Sequence, residues 1–356
     1  MSALHGLYLI SNDDPWPLLE AKLHAALAQG VALLQYRRKY TPKAEQPVEA
    51  AQMLAMCQHY GVPLIINDDV ALAAHLGCGV HLGQSDGSLL AARQQLGAQA
   101  IIGRTCHGSL ELARQAVREG ASYVAFGAVY PSATKPHASR VELSVLRQAK
   151  AELDVPVCVI GGLTVENIDP VVACGVDVYA VVGDVLGLPA EEIITRIEMW
   201  QEAFLPLRAC WLKQSIIHAF AGITLGDGYG LREADAYDDY RVTAQTLRAC
   251  RALDEKDDWR KILVDDLQRY SFAVAAFNPE GMRFHLPAYL LAALEGQYDG
   301  ISFYLTQANL DRFSALNHQQ KEVIVQFLQW WMEQPDGQLH RTEVIDCLLS
   351  GVWSQM

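Results

Sequence analysis

The chain has 356 residues, about half of them apolar, which is enough to bury a core in each of two domains. It carries 28 Lys and Arg against 41 Asp and Glu, a formal net charge of -13, and no basic run, which argues against a nucleic-acid surface. The eight cysteines are dispersed, with no CxxC pair and no zinc-like spacing, and read as buried small hydrophobes in a reducing compartment. The segment MSALHGLYLISNDD has neither the basic start nor the apolar run of a signal peptide. No charge-free apolar stretch reaches the roughly 18 residues of a membrane span. A cytoplasmic protein with no membrane partner is expected.

From residue 7 onward, short apolar runs alternate with amphipathic segments. The runs cover 7–11, 32–36, 63–67, 79–82, 100–103, 123–127, 155–160 and 178–182, and are read as eight strands. Between them lie helical patterns such as LLEAKLHAALAQG, EAAQMLAMCQHYG and SLELARQAVREG, several ending in the Gly that most cheaply takes a left-handed position past a helix end. Strand-helix repetition implies right-handed crossovers and a parallel sheet. Eight units over roughly 200 residues predict an α/β fold, a closed (β/α)8 TIM barrel. A shorter open sheet stays compatible with the periodicity, but no GxGxxG follows the first run, so its dinucleotide site is missing. With a last helix over about 189–203, the barrel domain is placed at 1–205.

Residues 206–356 change character, showing long helical periodicities in place of the alternation. These are LRACWLKQSIIHAFAG, a segment over about 233–253, WRKILVDDLQRYSFAVAAF, HLPAYLLAALEG and KEVIVQFLQWWMEQ. A mostly α-helical second domain is predicted. GDGYGLREADAYDDY at 226–240 concentrates Gly and acids but lacks the EF-hand order, so it reads as a glycine-rich turn leading into a helix that its acids cap and solvate. Trp259, Phe327, Trp330 and Trp331 read as core or interface.

Polar residues sit directly after the barrel's apolar runs. Gln35, Arg37 and Lys39 follow the second, Asn67 and Asp68 the third, Gln84 and Asp86 the fourth, and Thr105 and His107 the fifth, which Arg104 ends. Thr134 and Lys135 follow the sixth, Gly161 and Gly162 the seventh, Gly183 and Asp184 the eighth. In a barrel all of them share the C-terminal rim, where such sites are built. Arg37 and Lys39, at i,i+2, point to one side and read as an anion-binding pair or as solvated surface cations. SATKP at 132–136 sets the Ser132 and Thr134 hydroxyls beside the Lys135 ammonium, and VIGG at 159–162 lets the backbone approach a ligand closely. Loops after strands seven and eight often bind phosphate in this architecture. Asp68 and Asp86 emerge from neighbouring strands and suit Mg²⁺ on a diphosphate, or Asp86 caps a helix. Asp69 reads as the cap of a helix starting at Val70. His107 is read either as a helix-terminal residue or as a proton shuttle. His81 reads as a packing or hydrogen-bonding residue, and Arg104 as a phosphate or solvent contact. The inventory, with no evident nucleophile, favours a reaction in which a metal-bound diphosphate leaves and the protein stabilises the developing charge.

QYRRK at 35–39, IINDD at 65–69, GVHLGQSD at 79–86, YVAFGAVYPSATKP at 123–136, VIGGLTVENI at 159–168 and GVDVYAVVGDV at 175–185 occur in this order. As an ordered set over about residues 5–200 they resemble thiamine-phosphate synthase. The resemblance implies condensation of 4-amino-5-hydroxymethyl-2-methylpyrimidine diphosphate with a thiazole phosphate, giving thiamine phosphate and diphosphate by Mg²⁺-assisted ionisation. It implies that Gln35, Arg37, Lys39 and Asn67 hold the diphosphate and that Asp68 and Asp86 hold Mg²⁺. Ser132, Thr134, Gly162 and Val182 would line the thiazole-phosphate side, with Lys135 and Thr105 between the reacting partners. The family usually has Ser where this chain has Gly183, followed here by Asp184, which puts a carboxylate near the proposed phosphate. Arg104 and His107 in IGRTCHGS resemble the thiazole tautomerase relatives, which tend to lack the metal carboxylates and the loop lysine. A tautomerase-like enzyme and a non-catalytic phosphate-ligand sensor are the alternatives. AFAGITLGDGYGLREADAYDD and LPAYLLAAL resemble a small helical bacterial domain of uncharacterised function, which supplies no activity. A homo-oligomer and a protein partner for this second domain stay open.

Overall fold

The computed structural model describes residues 4–131, 140–237, 241–307, 311–351 and 353. The chain divides into two compact units, 4–207 and 208–356.

In the first unit eight strands are laid down in chain order. They are β1 (Gly6–Ile10), β2 (Leu33–Tyr36), β3 (Leu64–Asn67), β4 (Gly79–Leu82), β5 (Ile102–His107), β6 (Tyr123–Gly127), β7 (Val157–Ile160) and β8 (Val178–Val181). Every neighbouring pair is parallel, and β8 pairs back onto β1 through Gly6 with Val178 and Leu9 with Val181, so the sheet closes into a barrel. Closure removes the open-sheet alternative. Helices α1 (Trp16–Leu27), α2 (Gln46–Tyr60), α3 (Val70–Leu76), α4 (Leu89–Leu96), α5 (Leu110–Arg118) and α6 (Leu143–Glu152) alternate with the strands. α7 (Asp169–Val172), α8 (Gly183–Leu186) and α9 (Ile193–Ala203) complete the unit. α2 and α3 each end on a left-handed glycine, Gly61 and Gly77, which accept this backbone without the clash a Cβ brings.

The strands are short, and their residues alternate between the barrel interior and the helices outside, the period-2 geometry of a strand. The interior is filled by Tyr8, Leu33, Ile65, Tyr123, Ala125, Cys158, Val178 and Ala180. Two differences from the sequence pattern matter for the rim. β5 runs four residues beyond the predicted end at 103, so Arg104, Thr105 and His107 belong to the strand itself. A bulge between Thr105 and His107 makes this extension, and His107 sits there at φ 50°. The segment after β7 is broken into a single 3-10 turn, Val165–Asn167, and the four-residue α7, whose second position is Pro170.

The second unit is helical, with no strand among the described residues. Its helices are α10 (Leu205–Ala219), which begins in the first unit, α11 (Leu231–Ala236), α12 (Ala244–Leu253), α13 (Val264–Arg269) and α14 (Ala273–Ala276). α15 (Pro279–Leu294), α16 (Ile301–Thr306), α17 (His318–Trp331), α18 (Pro335–Leu339) and α19 (Arg341–Leu349) follow. Two predicted long helices are broken: the one over 233–253 after Ala236, and WRKILVDDLQRYSFAVAAF at Ile262 and Leu263, where the backbone is extended. Trp259, Phe284, Ile324 and Phe327 build its core, while Trp330 and Trp331 pack against it half-buried.

The glycine-rich acidic stretch is structural. Gly228 lies against the backbone of Glu280 and Gly281, and a Cβ there would collide with it. Asp254 accepts the backbone N–H groups of Arg232 (2.8 Å) and Glu233 (3.2 Å), and Glu233 accepts that of Gly230, so two buried acids cap α11. Arg251 then joins Glu233 at 2.9 Å to the Gly226 and Gly228 carbonyls. Residues 238–240 lie outside the described residues. Among the described residues no helix is long and apolar enough to cross a membrane.

Candidate active site

Three neighbouring strand ends build one corner of the rim. Asn67 ends β3, and Asp68 follows it in the left-handed region at φ 65°. That is a sparsely populated conformation which short polar side chains tolerate best. It turns the Asp68 carboxylate to where the Asn67 amide donates to it at 2.5 Å. The Asp86 carboxylate comes within hydrogen-bonding range of it from the loop after β4. Burial first, and then Asp86, push the Asp68 carboxyl up to about 6, while Asn67 and the nearby Arg37 guanidinium pull the other way. Sequence positions 67, 68 and 86 thus meet, with Arg37 near enough to act on Asp68 through its charge.

The helix-cap reading of Asp86 gives way to a different arrangement. α4 is capped by Ser88, whose hydroxyl accepts from Ala91, whereas Asp86 folds back to accept from the Gly83 N–H at 2.9 Å and from the Ser85 hydroxyl at 3.3 Å. Asp69 does cap α3, accepting from Leu72 at 2.9 Å. Two carboxylates held face to face, one of them with a raised pKa, fit a divalent cation, because a bound cation removes their repulsion. Among the described residues no group of three or more His, Cys, Asp or Glu could hold a metal ion, so a cation here would need ligands beyond this pair.

A second arrangement runs through the barrel interior. Thr105 Oγ1 meets His81 Nε2 at 2.8 Å, and His81 Nδ1 meets Tyr123 Oη at 2.9 Å. Tyr123 Oη meets Tyr8 Oη at 3.0 Å, and the Gln35 amide donates to Tyr8 Oη at 2.7 Å. Five strands, β5, β4, β6, β1 and β2, therefore contribute to one hydrogen-bonded chain with Thr105 at one end and Gln35 at the other. Burial raises the pKa of both phenols, so they act here as neutral hydrogen-bonding groups. The imidazole of His81 is stacked on Tyr123 with ring centroids 5.6 Å apart. Gln84 donates to the Thr105 carbonyl, which ties the loop carrying Asp86 to the end of this chain. Tyr8 and Tyr123 were legible only as apolar-run residues; no spacing in the sequence marks them as partners. His81 holds the hydrogen-bonding place expected of it.

The remaining candidates are placed as follows. Gln35 is buried, Arg37 is half-buried and Lys39 is exposed, and the backbone of this loop is anchored by Ser11 to Arg37 N and by Asp13 to Lys39 N. Arg104 donates to the Gly87 carbonyl at 3.0 Å, and His107 is exposed on the β5 bulge. Gly162 stands at φ 59°, where a Cβ would strike the backbone of Tyr130 and Pro131, so only glycine fits this close approach. Val182 packs against the barrel interior, and Gly183 is exposed with open space where a Cβ would stand. Ser132, Thr134 and Lys135 lie outside the described residues. The Asp184 carboxylate, expected beside a bound phosphate, is instead buried and turned to α9, accepting from Arg196 Nη2 at 2.6 Å and from the Trp200 indole at 2.7 Å.

Residues 7–185 match the family described as thiamine monophosphate synthase, and residues 210–355 match a family of unknown function, DUF6714. Among solved structures, the chain is similar to thiamine phosphate pyrophosphorylase from Pyrococcus furiosus, at 28% identity and a TM-score of 0.50, over 57% of this chain and 96% of that one. It is also similar to thiamine phosphate pyrophosphorylase from Bacteroides thetaiotaomicron, at 17% identity and a TM-score of 0.41, over 56% and 96%.

Proposed function

Through its barrel the chain belongs to the thiamine monophosphate synthase family, and from that premise we propose that it condenses 4-amino-5-hydroxymethyl-2-methylpyrimidine diphosphate with thiazole phosphate. The pyrimidine-methylene C–O bond breaks with its electron pair leaving on diphosphate. The thiazole nitrogen lone pair then forms the new C–N bond, so thiamine phosphate and diphosphate are the products. The observation that carries this reading is the pairing of Asp68 with Asp86, beside Asn67 and Arg37, at the ends of β3 and β4.

In this reading Gln35, Arg37, Lys39 and Asn67 bind the diphosphate, and Arg37 and Lys39 supply positive charge at this corner of a chain whose net charge is -13. Asp68 and Asp86 hold Mg²⁺, which when bound neutralises charge on the departing diphosphate; one or two carboxylates plus substrate phosphates are its usual ligands. Thr105, oriented by His81, and Lys135 lie between the reacting partners, and Ser132, Thr134, Gly162 and Val182 line the thiazole-phosphate side. Asp184 is engaged by Arg196 and Trp200, so its carboxylate is occupied within the barrel, which supports the enzyme over the phosphate-ligand sensor.

The test is turnover by the purified full chain, reading thiamine phosphate and diphosphate. Product is expected only with both substrates and Mg²⁺, and Asp86→Asn, with its fold intact by circular dichroism, should lower the rate by roughly a hundredfold. An active Asp86→Asn would remove the metal role. Folded wild-type protein that isomerises a thiazole carboxylate phosphate but condenses nothing would overturn the synthase in favour of the tautomerase.

A further inference from the structure

The loops after β7 and β8 are tied together by a residue that belongs to neither of them. Arg196, on α9, uses two edges of its guanidinium. Nη1 and Nη2 donate to the Glu166 carboxylate at 2.5 and 2.9 Å, in the 3-10 turn after β7. Nε and Nη2 donate to the Asp184 carboxylate at 3.1 and 2.6 Å, in the first turn after β8, and Nε also reaches the Asp184 carbonyl. Trp200, fully buried one turn further along α9, holds the second Asp184 oxygen. Each carboxylate is linked to a glycine of the rim, one directly and one through a neighbour. Asp184 follows Gly183 directly. Glu166 precedes Asn167, whose amide donates to the Gly162 carbonyl at 2.8 Å and accepts from the Thr164 N–H at 3.0 Å.

We propose that Arg196 is a positioning residue for the monophosphate end of the site, setting the distance between the Gly162 and Gly183 backbones through Glu166 and Asp184. This rests on the synthase reading, which puts the thiazole phosphate at these two loops. The physical reason lies in Gly183 itself. It offers no side-chain donor, and its Cβ position is open space, so what this position contributes to phosphate binding comes from its backbone. Backbone donors bind an anion well only when their spacing is held, and a planar two-edged guanidinium spanning two carboxylates holds it in a way that a lysine ammonium does not.

Steady-state kinetics on the full chain test this with Arg196→Met, Arg196→Lys and Arg196→Met combined with Gly183→Ser. Both Arg196 single variants should raise KM for the thiazole phosphate by roughly tenfold and leave KM for the pyrimidine diphosphate and kcat within about twofold. The added serine hydroxyl, which the open space accommodates, should recover most of that loss. A purely structural role would lower both substrates' affinities or the active fraction and would not respond to the serine. Hydrogen exchange at 161–167 and 183–186, measured without substrates, gives a readout independent of turnover and should quicken at both loops in Arg196→Met. Unchanged KM and unchanged exchange in a folded variant overturn the positioning role and leave the synthase reading standing. A wild-type chain that turns nothing over, yet loses protection at both loops in Arg196→Met, keeps the clamp and overturns the synthase reading. Should Arg196→Met not fold, Arg196→Lys is read by the same criteria.

Discussion

Asp68 combines two costs at one residue: a left-handed backbone, worth about 1–3 kcal/mol for a non-glycine residue, and a carboxylate facing Asp86. Its pH dependence follows from linkage. The Asp68 carboxyl keeps its proton up to about 6 in the folded chain against an ordinary 3.8. The folded state therefore binds more protons than the unfolded one between those values, and this group's contribution to stability falls as pH rises through them. The metal-free chain is expected to lose unfolding temperature between about pH 4 and pH 7 relative to Asp68→Asn, and Mg²⁺ should narrow the gap on the alkaline side. Differential scanning calorimetry on both proteins checks it; parallel pH profiles would show that the carboxylate pair is not repulsive. The sequence placed Asp68, Asp69 and Asp86 on one rim and separated the capping Asp69 from the others. What it did not show is that Asp86 leaves helix capping to Ser88, since either residue of SDGS can serve as a cap.

At the scale of elements, β5 differs most from its sequence pattern. The charge at Arg104 and the polar Thr105 and His107 look like a strand's end, but hydrogen bonding with β6 continues to His107 across a bulge. The consequence is chemical, because Thr105 is thereby a rigid inward-facing strand residue held by His81, not a loop residue. Gly103 in the same strand makes the interior chain fit: a Cβ there would overlap the Tyr123 ring and hydroxyl. Gly103→Ala should displace Tyr123 from Tyr8 and His81 and cost about 1–3 kcal/mol of stability, as overpacking does. Urea denaturation followed by tyrosine fluorescence measures it, and a loss within a few tenths of a kcal/mol would show that the interior chain tolerates displacement. The alternation YVAFG identifies a strand without revealing this demand, since Tyr123 reads as any other β-forming aromatic until β5 lies beside it.

For the whole molecule, the change from strand-helix alternation to long helical periods near residue 206 separates a barrel from a helical region, and each unit has its own core. All buried members of the second unit's core cluster fall between Leu212 and Trp353, with Trp259 among them, its indole donating to the Phe220 carbonyl. Trp259→Ala should therefore cost about 3–5 kcal/mol in the helical unit. Hydrogen exchange should show lost protection in 212–353 while the amides of β1 to β8 keep theirs; equal loss in the strands would mean that the two units unfold as one. The GDGYG segment belongs to this scale too. Its glycines permit backbone contact with the start of α15, and its Glu233, bound by Arg251, caps α11 together with Asp254, so the segment builds the domain.

By itself the sequence determined eight strand-helix units and a parallel sheet, because apolar runs at steady spacing with helices between them can bury their faces in few other ways; closure into a barrel was seen in the pairing of β8 with β1. It also determined the rim, because polar residues immediately after parallel strands must share one end. The tertiary structure alone decided which of those residues touch. Asp184 and Glu166 reach Arg196 across 12 and 30 residues, and Gln35, Tyr8, Tyr123, His81 and Thr105 form a chain across up to 115. Such pairings depend on closure of the sheet between β8 and β1 and on the turn that each loop takes, and a local pattern of 2 or 3.6 residues carries no information about either.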